Sequence, residues 1–282
     1  RMLRPTHYDR FEIKTEWGLQ DHFLVTTIGM LSPGKGIEYG IKAYGRFILE
    51  SCTAAQREQI VYLIAGQCHP EFIKAEGGRE YYNYRQNLYD ALKESGMQWC
   101  QVTDLRCVDW STNDIIFLDT FIGENTLLKL YGASNVMVLP YLNMEQISSG
   151  ILADTIGSGR VAIATKFRYA LELIYSNKTC PDGLVIGRYA RGILVDPGER
   201  SVDQIARALD FAVFEKDKRL RMEKQAYQRG YQMRWSNSAW ALIQYLNFIN
   251  EKRRIRTGRG VKFSREKESR LQCSDFAVVG IF

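Results

Sequence analysis

With 282 residues, 45% apolar and 25% charged, the chain has the balance of a soluble globular protein and length for one large α/β domain or two small ones. No apolar run approaches the ~20 residues of a membrane span, and no basic, apolar, small-residue pattern opens the chain, so neither an integral membrane protein nor a secretory signal peptide is expected. The net charge of +6 belongs to the tail: residues 251–282 hold nine Lys/Arg against four Asp/Glu, leaving the preceding residues near neutral, so a specific nucleic-acid partner is not expected.

In chain order, short and almost wholly apolar runs predict strands at 23–31, 60–66, 114–119, 136–141, 161–166 and 192–196. Helical patterns separate them at 37–49, 78–94, 124–133, 149–156 and 170–175, and three more at 202–214, 218–232 and 238–251 close the fold. Strand and helix alternating in this way predict a doubly wound parallel sheet, Rossmann-like, with helices on both faces. Segment 96–109 has no clear period and reads as an extra strand or a surface insertion. Residues 1–22 form an extension or the remnant of a preceding domain, 23–250 the main domain, and 251–282 a basic tail with little order of its own.

The six cysteines form no C-x-x-C pair, which points to reduced thiols in the cytoplasm, and the three histidines have no zinc spacing. His69 follows a predicted strand end and reads as an exposed loop residue. The basic tail segment, 251–270, offers weak contact with an anionic membrane, so a cytoplasmic protein peripheral to a membrane is a minor expectation.

Ligands of open sheets bind beyond the carboxyl ends of the strands. The first such loop, Gly29-Met-Leu-Ser-Pro-Gly-Lys-Gly36, brings Lys35 and the flexible Gly34 and Gly36 to a helix start, an arrangement suited to phosphate. It resembles a P-loop, but Gly36 lacks the hydroxyl that would hold Mg²⁺ and Pro33 lacks an N–H, so an NTPase is the third reading. After the fourth long apolar run, Ser148, Ser149 and Gly150 open another helix and a second anion site, with Ser148 or Ser149 as N-cap. Glu145 and Asp154 flank it and can accept hydrogen bonds from the hydroxyls of a sugar or ribose.

The series Ile28 to Gly36, Leu63 to Gly66, Leu130 to Pro140, Glu145 to Gly150 and Gly157 to Gly159 resembles the carboxy-terminal half of a family-four retaining glycosyltransferase, of GT-B fold. The resemblance runs from about Phe23 to Phe248, with the motifs in the family's order. It implies a nucleotide-diphospho-sugar donor, a glycan or glycoconjugate acceptor, and no metal or organic cofactor. In its terms Lys35 neutralises the donor diphosphate, the amides of Ser148, Ser149 and Gly150 meet phosphates and sugar, and Asp154 holds the ribose. Glu145 or Gln146 contacts the transferred sugar, and Gly66 and Thr120 border the base.

Three departures follow. Met30 stands where the family commonly has arginine. Glu145 and Asp154 are one position further apart than the family's two acids, which leaves Glu145 and Gln146 both open for the first. Only a short segment precedes Phe23, and the chain begins with arginine, which suits a donor half cut from a longer enzyme. Trp235, Trp240, Tyr245 and Phe248 lie in the region that resembles the family's last helices, so they either pack internally or mark a face for an amino-terminal-domain partner or a homodimer. A non-catalytic nucleotide-sugar-binding or scaffold domain acting with a partner chain is the alternative reading.

Overall fold

The computed structural model describes residues 10–174 and 189–256. Helix α1 (Arg10–Glu16) precedes strand β1 (Phe23–Ile28). Helix α2 (Ile37–Ser51) and the single turn α3 (Ala54–Arg57) lead to β2 (Ile60–Ala65), and α4 (Pro70–Lys74) and α5 (Arg79–Glu94) lead to β3 (Trp99–Val102). Strand β4 (Ile115–Leu118) is followed by α6 (Glu124–Ala133), β5 (Val136–Leu139), α7 (Gly150–Gly157), β6 (Val161–Thr165), α8 (Arg168–Leu173) and β7 (Gly192–Val195). Three helices complete the described chain, α9 (Arg200–Phe214), α10 (Lys216–Gln232) and α11 (Trp235–Arg256).

The strands form one seven-stranded sheet in the order β3-β4-β2-β1-β5-β6-β7, every pair parallel. Apart from β3 at the edge, the strands are largely apolar because both faces are covered. In β2, Ile60, Tyr62 and Ile64 enter the core under α2, α5 and α9, while Val61, Leu63 and Ala65 enter the core under α1, α6, α7 and α8. The few polar side chains at the sheet centre are paired, as burial requires. Thr27 donates to the Val138 carbonyl at 2.8 Å and meets the Tyr62 hydroxyl at 2.7 Å, and Thr26 meets Ser134 at 2.7 Å. These bonds fix β1 between β2 and β5, where the strand order reverses, so the loops that follow β1 and β5 leave side by side at the carboxyl edge of the sheet.

The six expected strands are present and end earlier than their apolar runs. β1 stops before Gly29 and β2 before Gly66, both at positive φ, and β5 stops before Pro140, which has no N–H for the ladder. Segment 96–109 supplies the seventh strand, β3, at the sheet edge. The short helices α1, α3 and α4 were not expected; α8 begins two residues earlier than its pattern, and Tyr175 lies outside the described residues. Helix α11 extends beyond the expected 238–251 at both ends. Residues 1–9 of the expected extension and 257–282 of the expected tail also lie outside the described residues.

Candidate functional site

The loop after β1 and the loop after β5 are clamped together, because the Leu142 N–H donates to the Gly34 carbonyl at 3.0 Å. Pro33–Lys35 form a single 3-10 turn, and Gly36, at φ 59°, turns the chain into α2. A Cβ on Gly36 would stand 2.2 Å from the Pro140 carbonyl oxygen, so this glycine serves the contact between the two loops. Gly66 is comparable: a Cβ there would stand 1.9 Å from the Gly29 carbonyl, where the ends of β1 and β2 touch backbone to backbone. Gly34 alone of these three has open space where its side chain would be.

Lys35 crosses the seam. Its ammonium lies 3.8 Å from the centroid of the Tyr141 ring, a cation–π contact. Among the described residues no carboxylate lies within ion-pair distance of it. Burial therefore lowers its pKa below the ordinary lysine value, with no acid to offset the cost. Tyr141 is itself buried, stacked on Phe167 at 5.1 Å, and burial pushes its phenol up to about 12. Its hydroxyl lies beside that of Ser149 without a hydrogen bond of good geometry, so the ring spans from Lys35 to the start of α7.

Of the two N-cap candidates, Ser149 caps α7 by accepting from the Leu152 N–H at 3.2 Å, and Ser148 is an exposed loop residue. Gly150 opens the helix, exposed and with free space around it. The two helix starts at this edge differ. The first turn of α2 already contains Glu38, whose half-buried carboxyl is raised by burial and held down by its own backbone N–H and by Lys42. The first turn of α7 contains no acid. Its positive end is the better place for an external anion.

The remaining expected residues are distributed around this edge. Glu145 is exposed, with its N–H bound to the Asn143 side chain, and Gln146 reaches across the loop to the Ser148 carbonyl at 2.7 Å. Asp154, one turn into α7, leans toward α6, where the Tyr131 hydroxyl donates to it at 3.4 Å. Protein on one side of this otherwise solvent-accessible carboxyl raises its pKa, and the Tyr131 hydrogen bond opposes the shift. Among the described residues no hydrogen bond joins Glu145 to Asp154, so the two acids share an edge of the fold and not a hydrogen-bond network. Thr120 is half-buried beyond β4, next to Asp119, which Arg85 holds at 3.0 Å and Gln101 at 3.1 Å. His69 caps α4, accepting from the Glu71 N–H.

Three residues of this region escaped the reading of the sequence: Tyr141 beneath Lys35, Tyr131 beside Asp154, and Arg85 behind Asp119. Each is an aromatic or a cation inside an apolar or helical pattern, where core packing is the default assignment. Tyr141 carried one usable signal, its place directly after the strand-ending Pro140. Among the described residues, no group of three or more His, Cys, Asp or Glu side chains is placed to hold a metal ion.

No protein-family model and no curated protein matches the sequence. Solved structures share the fold. The Anabaena protein HepE, in complex with UDP and glucose, superposes with a TM-score of 0.58 at 16% identity, over 84% of this chain and 52% of that one. The C-terminal domain of LpcC, a group 1 family glycosyl transferase from Francisella tularensis, gives 0.55 at 17% identity over 78% and 90%. An E. coli trehalose-6-phosphate structure bound with UDP-2-fluoro glucose gives 0.59 at 14% identity over 87% and 50%. The chain spans about half the length of HepE. The fold is thus the Rossmann-like domain found in GT-B glycosyltransferases.

Proposed function

We propose that this domain binds the donor of a retaining glycosyltransferase, a nucleotide-diphospho-sugar, at the edge between β1 and β5. The observation that carries this reading is Lys35, a half-buried cation without an acid partner, held on Tyr141 beside the acid-free start of α7. A diphosphate placed between Lys35 and the amides of Ser149 and Gly150 would meet a positive charge and a helix dipole that the protein leaves unmatched. The same charge would stabilise the nucleoside diphosphate as it leaves, in place of a metal ion. Asp154 is then positioned for the ribose, Glu145 or Gln146 for the sugar, and Gly66 and Thr120 for the base. Transfer to a glycan or glycoconjugate acceptor would draw on a second domain, since both reactants must be positioned for rate.

The test is calorimetric titration with UDP, GDP, ADP and their sugar conjugates without Mg²⁺, for the wild-type chain and Lys35→Ala. Diphosphate-dependent binding that the substitution abolishes is the expected result. Binding should also take up a proton in alkaline buffer, because an anion beside Lys35 reverses the burial that lowers its pKa. Unaltered binding in Lys35→Ala would overturn the assignment. Met30, exposed and uncharged where the resembling family has arginine, favours a second reading, a nucleotide-sugar-binding domain without turnover of its own. Binding without sugar transfer after addition of candidate acceptors is its signature.

A further inference from the structure

Tyr141 stands where three loops of the carboxyl edge meet. Its carbonyl accepts from the Thr165 hydroxyl at 2.6 Å, at the end of β6, and the next residue, Leu142, is the one bound to Gly34 in the loop after β1. Because β5 lies between β1 and β6, the backbone that carries the ring is tied to both neighbours. Phe167, fully buried at the start of α8, stacks on the ring with centroids 5.1 Å and planes 24° apart, and the Lys35 ammonium lies over it at 3.8 Å.

This contact differs from those of the other buried cations that lie on rings. Among the described residues, Arg85 lies over Tyr89 and Phe117 but also pairs with Asp119, and Arg219 lies over Phe23 but also reaches Glu223 and the Ala212 carbonyl. There the ring supplements a partner that already fixes the cation. Lys35 has no such acid among the described residues, and its four-carbon stem is flexible, so the ring face determines where the ammonium stands. The Tyr141 hydroxyl does not explain the residue, since it is buried without a hydrogen-bond partner, which by itself destabilises.

We infer that Tyr141 is a positioning residue of the donor site: its ring face, backed by Phe167, holds the Lys35 ammonium where the diphosphate of a nucleotide sugar would bind. This role rests on the donor reading of Lys35. It separates Tyr141 from the groups that would touch the ligand, since the residue is 2% exposed and acts only through the lysine.

The experiment is a double-substitution cycle, read as calorimetric affinity for UDP, GDP, ADP and inorganic pyrophosphate. Tyr141→Leu is expected to weaken binding about tenfold in the wild-type chain and less than about twofold in Lys35→Ala. Tyr141→Phe should bind within about twofold of wild type, because it keeps the ring face. A trifluorinated phenylalanine at position 141 keeps the shape of the ring and removes the negative charge of its face. Binding about fivefold weaker than in Tyr141→Phe is expected, a difference that packing alone would not produce, and this comparison stands even where Tyr141→Leu is unfolded. Equal losses from Tyr141→Leu with and without Lys35, a Tyr141→Phe variant as weak as Tyr141→Leu, or a fluorinated ring equal to phenylalanine each overturns the role. Wild-type binding indifferent to Lys35→Ala, or no binding at all, overturns the donor reading itself and this role with it.

Discussion

The buried cations at the amino edge of the sheet and Lys35 at its carboxyl edge are treated in opposite ways. At the amino edge, Lys14 donates to the His22 carbonyl and to the Asn135 side chain, and Arg160 donates to the carbonyls of Tyr131 and Gly132 at the end of α6. Arg219 likewise serves the Ala212 carbonyl near the end of α9, and Arg10 pairs with Glu223. Each of these cations satisfies groups of the protein, and helix ends with unpaired carbonyls are where a cation stabilises the fold. At the carboxyl edge, where Arg85 pairs with Asp119, Lys35 has only the face of an aromatic ring. A buried cation that serves carbonyls is architecture, whereas one that is dehydrated and left without an acceptor is prepared for a ligand.

Gly66→Ala forces a Cβ against the Gly29 backbone and should cost on the order of 4 kcal/mol in urea unfolding. A loss below about 1 kcal/mol would mean that the loops of the carboxyl edge are not tightly joined. Lys35→Ala comes next. It should weaken nucleotide diphosphate binding by about 2–3 kcal/mol, read calorimetrically, and leave the urea midpoint nearly unchanged, because the side chain serves no protein acceptor.

Lys14 gives the contrasting pH behaviour. Burial, followed by repulsion from Arg10, Arg160 and Arg219, lowers its pKa to about 7 from 10.5. Between those values the unfolded chain holds the proton that the folded chain has lost, so Lys14 makes unfolding free energy rise with pH there, and adds no slope below about 7, where both states are charged. Comparing urea unfolding of wild type and Lys14→Met across this range should show the rise diminished in the variant; identical slopes would place the shift elsewhere. The smallest effect is expected for Ser149→Ala, which removes the cap of α7 and should cost about 1 kcal/mol of stability.

The interior strands were legible because full burial on both faces leaves an unbroken apolar run, as in Ile60–Ala65. Strand β3 was not, since at the sheet edge its residues are half-buried or exposed and carry no such signature. The seven-residue α1 escaped for a related reason: it buries only Ile13 and Lys14, too few for a helical period. In the site, Lys35 and Ser149 could be read because a lysine after glycine and a serine before a helix have local meanings. The aromatic bridge from Lys35 to Ser149 through Tyr141 could not, because it depends on β1 and β5 becoming neighbours. The crowding of Gly36 against Pro140 could not be read for the same reason, being a tertiary fact.

The bond from Thr27 to Val138 joins residues 111 positions apart, and the clamp between Gly34 and Leu142 is closed by the same pairing of β1 with β5. No local segment can therefore bind the ligand before the central strands have met. Occupancy and global folding become thermodynamically linked, so a nucleotide that engages this edge should raise the melting temperature of the whole sheet in proportion to the logarithm of its concentration.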